Sequence, residues 1–347
     1  MLGTLTMPNL LSPASPALFW AWLRYYLAPT SSPDLRITMD FADLDPHQKG
    51  ILSDDFGVAI TTKWLSDRFG GFRKIVDGRR FVLQFPHHLR KKHSSKAKVG
   101  PNKCPDFVMQ DTAGRWHVLE CKGTQTRSYQ KDALEAAIPQ KHAIHLVGSI
   151  KGEQLAAALF IANEESASRT HLKVIDPDDD PIIRLTQNNA AEIDTKADRL
   201  AIAQALGAIG LNEMAVEFSL PPDIDPQSEL LHPSEAARIR SSRQKRYESA
   251  ADQARASTLT TFTDRGQPYT GTEVQFEFPP TGRRLPFRSV IVRQGLESSL
   301  LAELTSSGPD FYGMGKRDAP LGQSNTFSWN PTPIERPYDT GTCFSLK

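Results

Sequence analysis

Residues 104–123, "CPDFVMQDTAGRWHVLECKG", constrain this chain more than any other stretch, because they fix a strand register. "FVMQ" and "RWHVLECK" read as strands, and "DTAG" between them suits a type I turn whose fourth residue, Gly114, takes the left-handed conformation of a G1 bulge. With that loop Asp111 faces Arg115, and every further pair has residue numbers summing to 226, so Asp106 faces Glu120. Opposed side chains stand ~4.5–5.5 Å apart at Cβ and share a face. Alternation then adds Lys122 to that face and turns Cys121 away. Residues 107–109 and 116–119 are mostly apolar on both faces, which predicts a central strand pair covered on both sides. Two carboxylates at the rim of such a pair need a cationic partner, since uncompensated buried charge is costly.

Lys122 can offset one of the two charges. A hard divalent cation such as Mg²⁺, with Mn²⁺ as substitute, takes one or two carboxylates together with waters and phosphate oxygens. The metal ligands on this reading are Asp106, Glu120 and the backbone carbonyl of Cys121. The chemistry implied is phosphate-ester hydrolysis, with Lys122 serving the attacking water. The alternative reading of the same residues is a structural ion-pair cluster at a hairpin end.

Charge supports a polyanionic substrate locally rather than globally. The 347 residues carry a net charge of +1, yet from Lys63 to Lys103 there are twelve Lys or Arg against Asp67 and Asp77. Arg90, Lys91, Lys92, Lys96, Lys98 and Lys103 are the candidate nucleic-acid contacts, on a loop before the first catalytic strand. His87, His88 and His93 lack partner ligands for a zinc site and read as support for phosphate contacts. The three cysteines form no CxxC pair, which suits reduced thiols in the cytoplasm. "ALFWAWLRYYLA" reads as an N-terminal helix entered through Ser15 and Pro16. Arg24 interrupts it and it is too short to span a bilayer, so no membrane is expected.

The remaining pattern is mixed α/β, with 39% hydrophobic residues to fill a core. Residues 54–70 read as an amphipathic helix capped by Ser53, with Phe56, Ala59, Ile60, Trp64 and Leu65 at helical spacing. "FRKIVDGRRFVLQF" reads as two strands about an Asp77-Gly78 hairpin turn. "SYQKDALEAAI" is a short helix, ended or kinked near Pro139, "HAIHLVGSI" and "HLKVID" are strand-like, and "EQLAAALFIAN" fits either type. Four regions follow: a helical arm (1–49), a compact core (50–176), an acidic linker with helices (177–260), and C-terminal strands with a loosely ordered tail from about Ser306 (261–347). The charged helix at 233–258 is a candidate homodimer surface.

Pro105-Asp106 followed after thirteen residues by Glu120-Cys121-Lys122 resembles the PD-(D/E)xK nuclease superfamily, the restriction-endonuclease-like fold. The resemblance covers about residues 50–176, where helix, strands, helix and strand come in that fold's core order. It implies a mixed sheet flanked by helices and a Mg²⁺-dependent endonuclease acting on DNA first and RNA second, with a role in restriction or phage defence among the possibilities. It also implies that Asp106 and Glu120 bind metal while Lys122 serves the nucleophile. Many members add an acid from the helix before the first strand, for which Asp55 is the choice here, and several add a glutamine on the following helix, here Gln130. Two other classes fit the sequence: a nucleic-acid-binding module of this fold without catalysis, and a structural or partner-docking component.

Overall fold

The computed structural model describes residues 24–25, 27–85, 104–141, 144–146, 150–176, 183–185, 190–220, 233–264, 266–277, 287–306 and 323–331. After the short strand β1 (Arg36–Ile37), helix α1 (Pro46–Arg68) leads into β2 (Phe72–Asp77), the short helix α2 (Gly78–Leu83), β3 (Phe107–Asp111) and β4 (Trp116–Thr124). Helix α3 (Gln130–Lys141) and the short β5 (Ile144–Leu146) precede β6 (Lys151–Phe160), β7 (Ala162–Asn163), β8 (His171–Ile175) and β9 (Ile183–Leu185). The principal sheet has five strands in the order β2-β3-β4-β6-β8. All its pairs are antiparallel except β4 with β6, the parallel pair for which a helical crossover such as α3 is required.

The hairpin register is the one the turn chemistry dictates. Phe107 pairs with Leu119, Val108 with Val118, Met109 with His117 and Gln110 with Trp116. Gly114 has φ +81°, and Asp111 closes the loop by accepting the N–H groups of Ala113 and Arg115 on one carboxylate oxygen. Both faces of the sheet are covered. Phe107, Met109, Leu119, Cys121, Leu155 and Ala157 pack with Val58 and Leu65 of α1, while Ala156 and Ala158 meet Leu134 and Ala137 of α3 on the other side.

Helix α4 (Ala190–Ala208) carries the core past residue 176, the expected boundary. Its Ile193, Ala197 and Leu200 pack with Val76, Val108, Trp116 and Val118, and its Ile202, Ala205 and Leu206 enter a second cluster. That cluster is completed by α5 (Asn212–Ser219), α6 (Pro233–Ala256), Leu296 and α7 (Ser298–Ser306). A separate antiparallel sheet contains β10 (Thr260–Asp264), β11 (Gln267–Glu277), β12 (Phe287–Glu297) and β13 (Gln323–Pro331) in sequence order. Among the described residues no helix is long and apolar enough to cross a membrane.

Several expectations are corrected. The Asp77-Gly78 pair starts α2 instead of a hairpin turn, because the Asp77 carboxylate accepts the Arg80 N–H and caps that helix. Helix α1 begins at Pro46, capped by the Asp45 side chain, so Ser53 is interior and its hydroxyl donates to the Lys49 carbonyl. Trp64, placed on the apolar face by periodicity, is 41% exposed, with the Arg68 guanidinium over its ring. Helix α3 continues through Pro139 to Lys141, and "HAIHLVGSI" supplies β5, which pairs with β9 outside the principal sheet. "EQLAAALFIAN" is strand β6, and residues 323–331 form a paired strand within the region expected to be a loose tail. The N-terminal helix entry at Ser15 and Pro16 lies outside the described residues.

Candidate active site

The site lies where β3 and β4 stop pairing through their backbones. One step beyond the Phe107–Leu119 pair, side chains take over the ladder. The Asp106 N–H donates to Glu120 Oε2 at 3.0 Å, and the Cys121 N–H donates to Asp106 Oδ2 at 2.7 Å. Lys122 Nζ lies 2.5 Å from the buried Glu120 Oε1, an ion pair at hydrogen-bond distance. Glu120 is 0% exposed, whereas the Lys122 side chain is 26% exposed, which sets the group at a rim.

Electrostatics makes the carboxylate pair short of positive charge. Burial, and then the neighbouring Asp106, push the Glu120 carboxyl up to about 8. The Asp106 carboxyl is also raised, chiefly by burial, with the negative charges of Asp54 and Asp77 adding to it against Lys122 and the Cys121 N–H. Burial alone would lower the Lys122 ammonium, but Glu120 outweighs it and its pKa is raised. Both carboxyls are therefore held above the usual carboxylate range beside a lysine that keeps its charge.

Glycine sets the distance between α1 and this strand end. A Cβ at Gly57 would lie 2.7 Å from the Lys122 carbonyl oxygen, and one at Gly123 would lie 1.7 Å from the Ser53 carbonyl oxygen. The resulting close approach lets Asp54 Oδ1 accept the Gly123 N–H at 3.2 Å. Asp55, the acid chosen from sequence, instead accepts the Tyr25 hydroxyl. Asp54 is thus the α1 carboxylate that reaches β4, a distinction that depends on the helix phase.

Cys121 turns away from the carboxylates, as alternation requires. Its thiol sits against α1 near Thr61, and burial raises its pKa well above the ordinary range, which leaves only its backbone carbonyl as a candidate ligand. The Cys104 thiol is also raised by burial. Gln130 is buried at the start of α3, with its amide nitrogen donating to the carbonyls of Ala158 at 2.8 Å and His171 at 3.1 Å. Because Ala158 pairs with Lys122, Gln130 stands beside the site's strand while its amide spans β6 and β8. Arg90, Lys91, Lys92, Lys96, Lys98 and Lys103, with His87, His88 and His93, lie outside the described residues.

Among the described residues no three His, Cys, Asp or Glu side chains converge as a ready metal cage. The donor set that is present is two hard carboxylates with raised pKa values, one of them ion-paired with Lys122. Those properties fit Mg²⁺ or Mn²⁺, ions that keep several waters and need few protein ligands. No protein family, curated protein or solved structure matches the chain.

Proposed function

We propose that the chain is a divalent-metal-dependent endonuclease of restriction-endonuclease-like fold, hydrolysing phosphodiester bonds in DNA, with RNA the second choice. The observation that carries this reading is the Asp106–Glu120 pair with Lys122 at 2.5 Å, set at the rim of a covered sheet. The order of α1, the β2-β3-β4 strands, α3 and the parallel strand β6 gives further support, being the core order that the sequence resemblance implies.

Asp106 and Glu120 would hold the cation, with the Cys121 carbonyl beside them. When bound, such an ion supplies Lewis-acid stabilisation of charge on the phosphate and acidifies a water. Lys122 keeps its proton while paired with Glu120, so it acts as a positioning donor to the attacking water or a phosphate oxygen rather than as the resting base. Asp106 accepts the Cys121 N–H and so ties its own carboxylate to the strand that carries Glu120 and Lys122. Glu120 must surrender its proton before a cation binds, which links activity to pH.

A second reading has its own observation. Both carboxylates already have protein partners, Glu120 in Lys122 and Asp106 in the Cys121 N–H, so the cluster is self-sufficient as a structural element of a non-cleaving nucleic-acid-binding module. Incubation with supercoiled, linear and single-stranded substrates in Mg²⁺ or Mn²⁺, with a chelator control, separates the two. Metal-dependent nicking is expected, and intact substrate under every metal condition would leave the binding module.

A further inference from the structure

Helix α6 is packed along only half its length. Tyr247, Ala250, Ala251 and Ala254 are buried in the second cluster, whereas from Ser234 to Arg246 every described side chain is exposed or only partly buried. At 1.5 Å per residue this overhang is roughly 20 Å long. Between Arg238 and Arg246 it has five Lys or Arg and no acidic residue.

Arg238, Arg240 and Lys245 are the least answered of those charges among the described residues. Arg246 is tied to Glu217 of α5 at 2.7 Å, and Arg238 lies 4.0 Å from Glu235 with both side chains largely exposed. Arg240 and Lys245 form no ion pair with a described residue. The overhang offers no exposed aromatic anchor, which argues against a protein hot spot, and no continuous apolar face for a membrane surface. A helix of this width fits the major groove of a duplex, ~12 Å across, with Ser241 and Ser242 as further phosphate donors.

We propose that the overhanging half of α6 is a nucleic-acid docking arm in which Arg238, Arg240 and Lys245 neutralise duplex phosphates. The arm goes beyond the nuclease reading, because it requires neither the carboxylate pair nor cleavage.

The test is binding of a fluorescein-labelled duplex to the full chain by anisotropy over a KCl series, in EDTA so that cutting plays no part. Replacing the three residues together, R238Q/R240Q/K245Q, should weaken binding tenfold or more at low salt. It should also reduce the slope of log K against log salt by about 3, one counterion's worth per residue. Unchanged slope and affinity overturn the proposal. So does a variant that loses self-association in sedimentation, or binding to phosphatidylserine vesicles, while its DNA binding is unaltered. Should circular dichroism show the triple variant to have lost helix, K245E alone is measured, with a slope reduction of about 1 or more expected and no change counting against the arm. A wild-type protein that binds duplex through these residues yet never cuts it with Mg²⁺ fails the nuclease reading and leaves the arm standing.

Discussion

The backbone N–H of Cys121 donates to the carboxylate of Asp106 at 2.7 Å, so one candidate metal ligand also completes the ladder that holds the other. Asp106→Ala leaves a buried N–H without a partner, at a cost of ~1–3 kcal/mol. Asp106→Asn keeps an oxygen acceptor and should stay within about 1 kcal/mol of the parent. Both should lose cleavage by orders of magnitude, since neither offers an anionic ligand. Urea denaturation with a plasmid-nicking assay on each variant measures the two effects; cleavage retained by either variant removes Asp106 from the metal site.

The Glu120 carboxyl gives a pH dependence whose sign is fixed. Its folded pKa of about 8 lies above the ordinary 4.5, through burial first and Asp106 second. The folded protein then holds this proton more tightly than the unfolded chain, so the group's contribution is complete below about pH 4.5 and is lost as pH rises through about 8. Thermal midpoints should fall across that window, and Glu120→Gln should flatten the fall. Mg²⁺ should raise the midpoint of the parent at the alkaline end and do little at the acidic end, where protons occupy the site. An equal Mg²⁺ effect at both ends, or a pH slope that survives Glu120→Gln, rules this account out.

Gly57→Ala inverts the usual rule for helices. An interior Gly-to-Ala change ordinarily stabilises by ~1 kcal/mol. Here the added methyl meets the Lys122 carbonyl oxygen at 2.7 Å, so α1 must move off β4 at the point where Lys122 is held. A loss of ~1–3 kcal/mol is expected, as for other overpacked contacts, with a larger fall in cleavage. Gly50→Ala, which meets nothing within 4 Å on the same helix, is the control and should be neutral or stabilising. A Gly57→Ala protein as stable and active as the parent would show that the close approach is dispensable.

Much of this site's geometry is legible in the sequence. The pairing of Asp106 with Glu120, the turning away of Cys121 and the left-handed Gly114 all follow from one turn type and a period of two. The start of helix α1 escapes hydrophobic periodicity because its buried face includes Ser53, Gly57, Thr61 and Thr62. The Asp45-Pro46 cap and first-turn signature lay upstream of the apolar repeat and marked the true start. Asp54 and Asp55 are adjacent, and only the approach of β4, through the Gly123 N–H, and of Tyr25 tells them apart. Asp77-Gly78 misled for another reason: the dipeptide serves as a hairpin turn or a helix entry, and only the third residue beyond Asp77, whose N–H it caps, decides between them.

Asp54 and Asp55 should therefore part company in experiment. Asp54→Asn keeps an acceptor for the Gly123 N–H but removes a negative charge that bears on both Asp106 and Lys122, so cleavage and Mn²⁺ affinity should fall with little change in stability. Asp55→Asn weakens the bond to Tyr25 and should lower stability by ~1 kcal/mol while leaving Mn²⁺ affinity alone. Titration calorimetry with Mn²⁺ on both variants decides, and a larger loss of Mn²⁺ affinity in Asp55→Asn reverses the assignment.

Lys122→Ala separates metal binding from chemistry. The ammonium lies 2.5 Å from Glu120 Oε1, so its removal frees that oxygen and removes a positive charge that opposes a cation. Mn²⁺ binding should be retained or tightened at alkaline pH. At lower pH it should weaken, because Glu120 without Lys122 keeps its proton to a higher pH still. On the nuclease reading cleavage should fall by orders of magnitude at every pH, as the proposed donor to the water or phosphate oxygen is gone. Duplex affinity in EDTA should change little, since one lysine accounts for about one counterion at most. Calorimetry with Mn²⁺ and a nicking assay on the same preparation give both quantities. If Lys122→Ala loses Mn²⁺ binding at alkaline pH together with activity, Lys122 is a structural partner of Glu120 and the cluster is an ion pair; if it cuts at the parent rate, Lys122 takes no part in the chemistry.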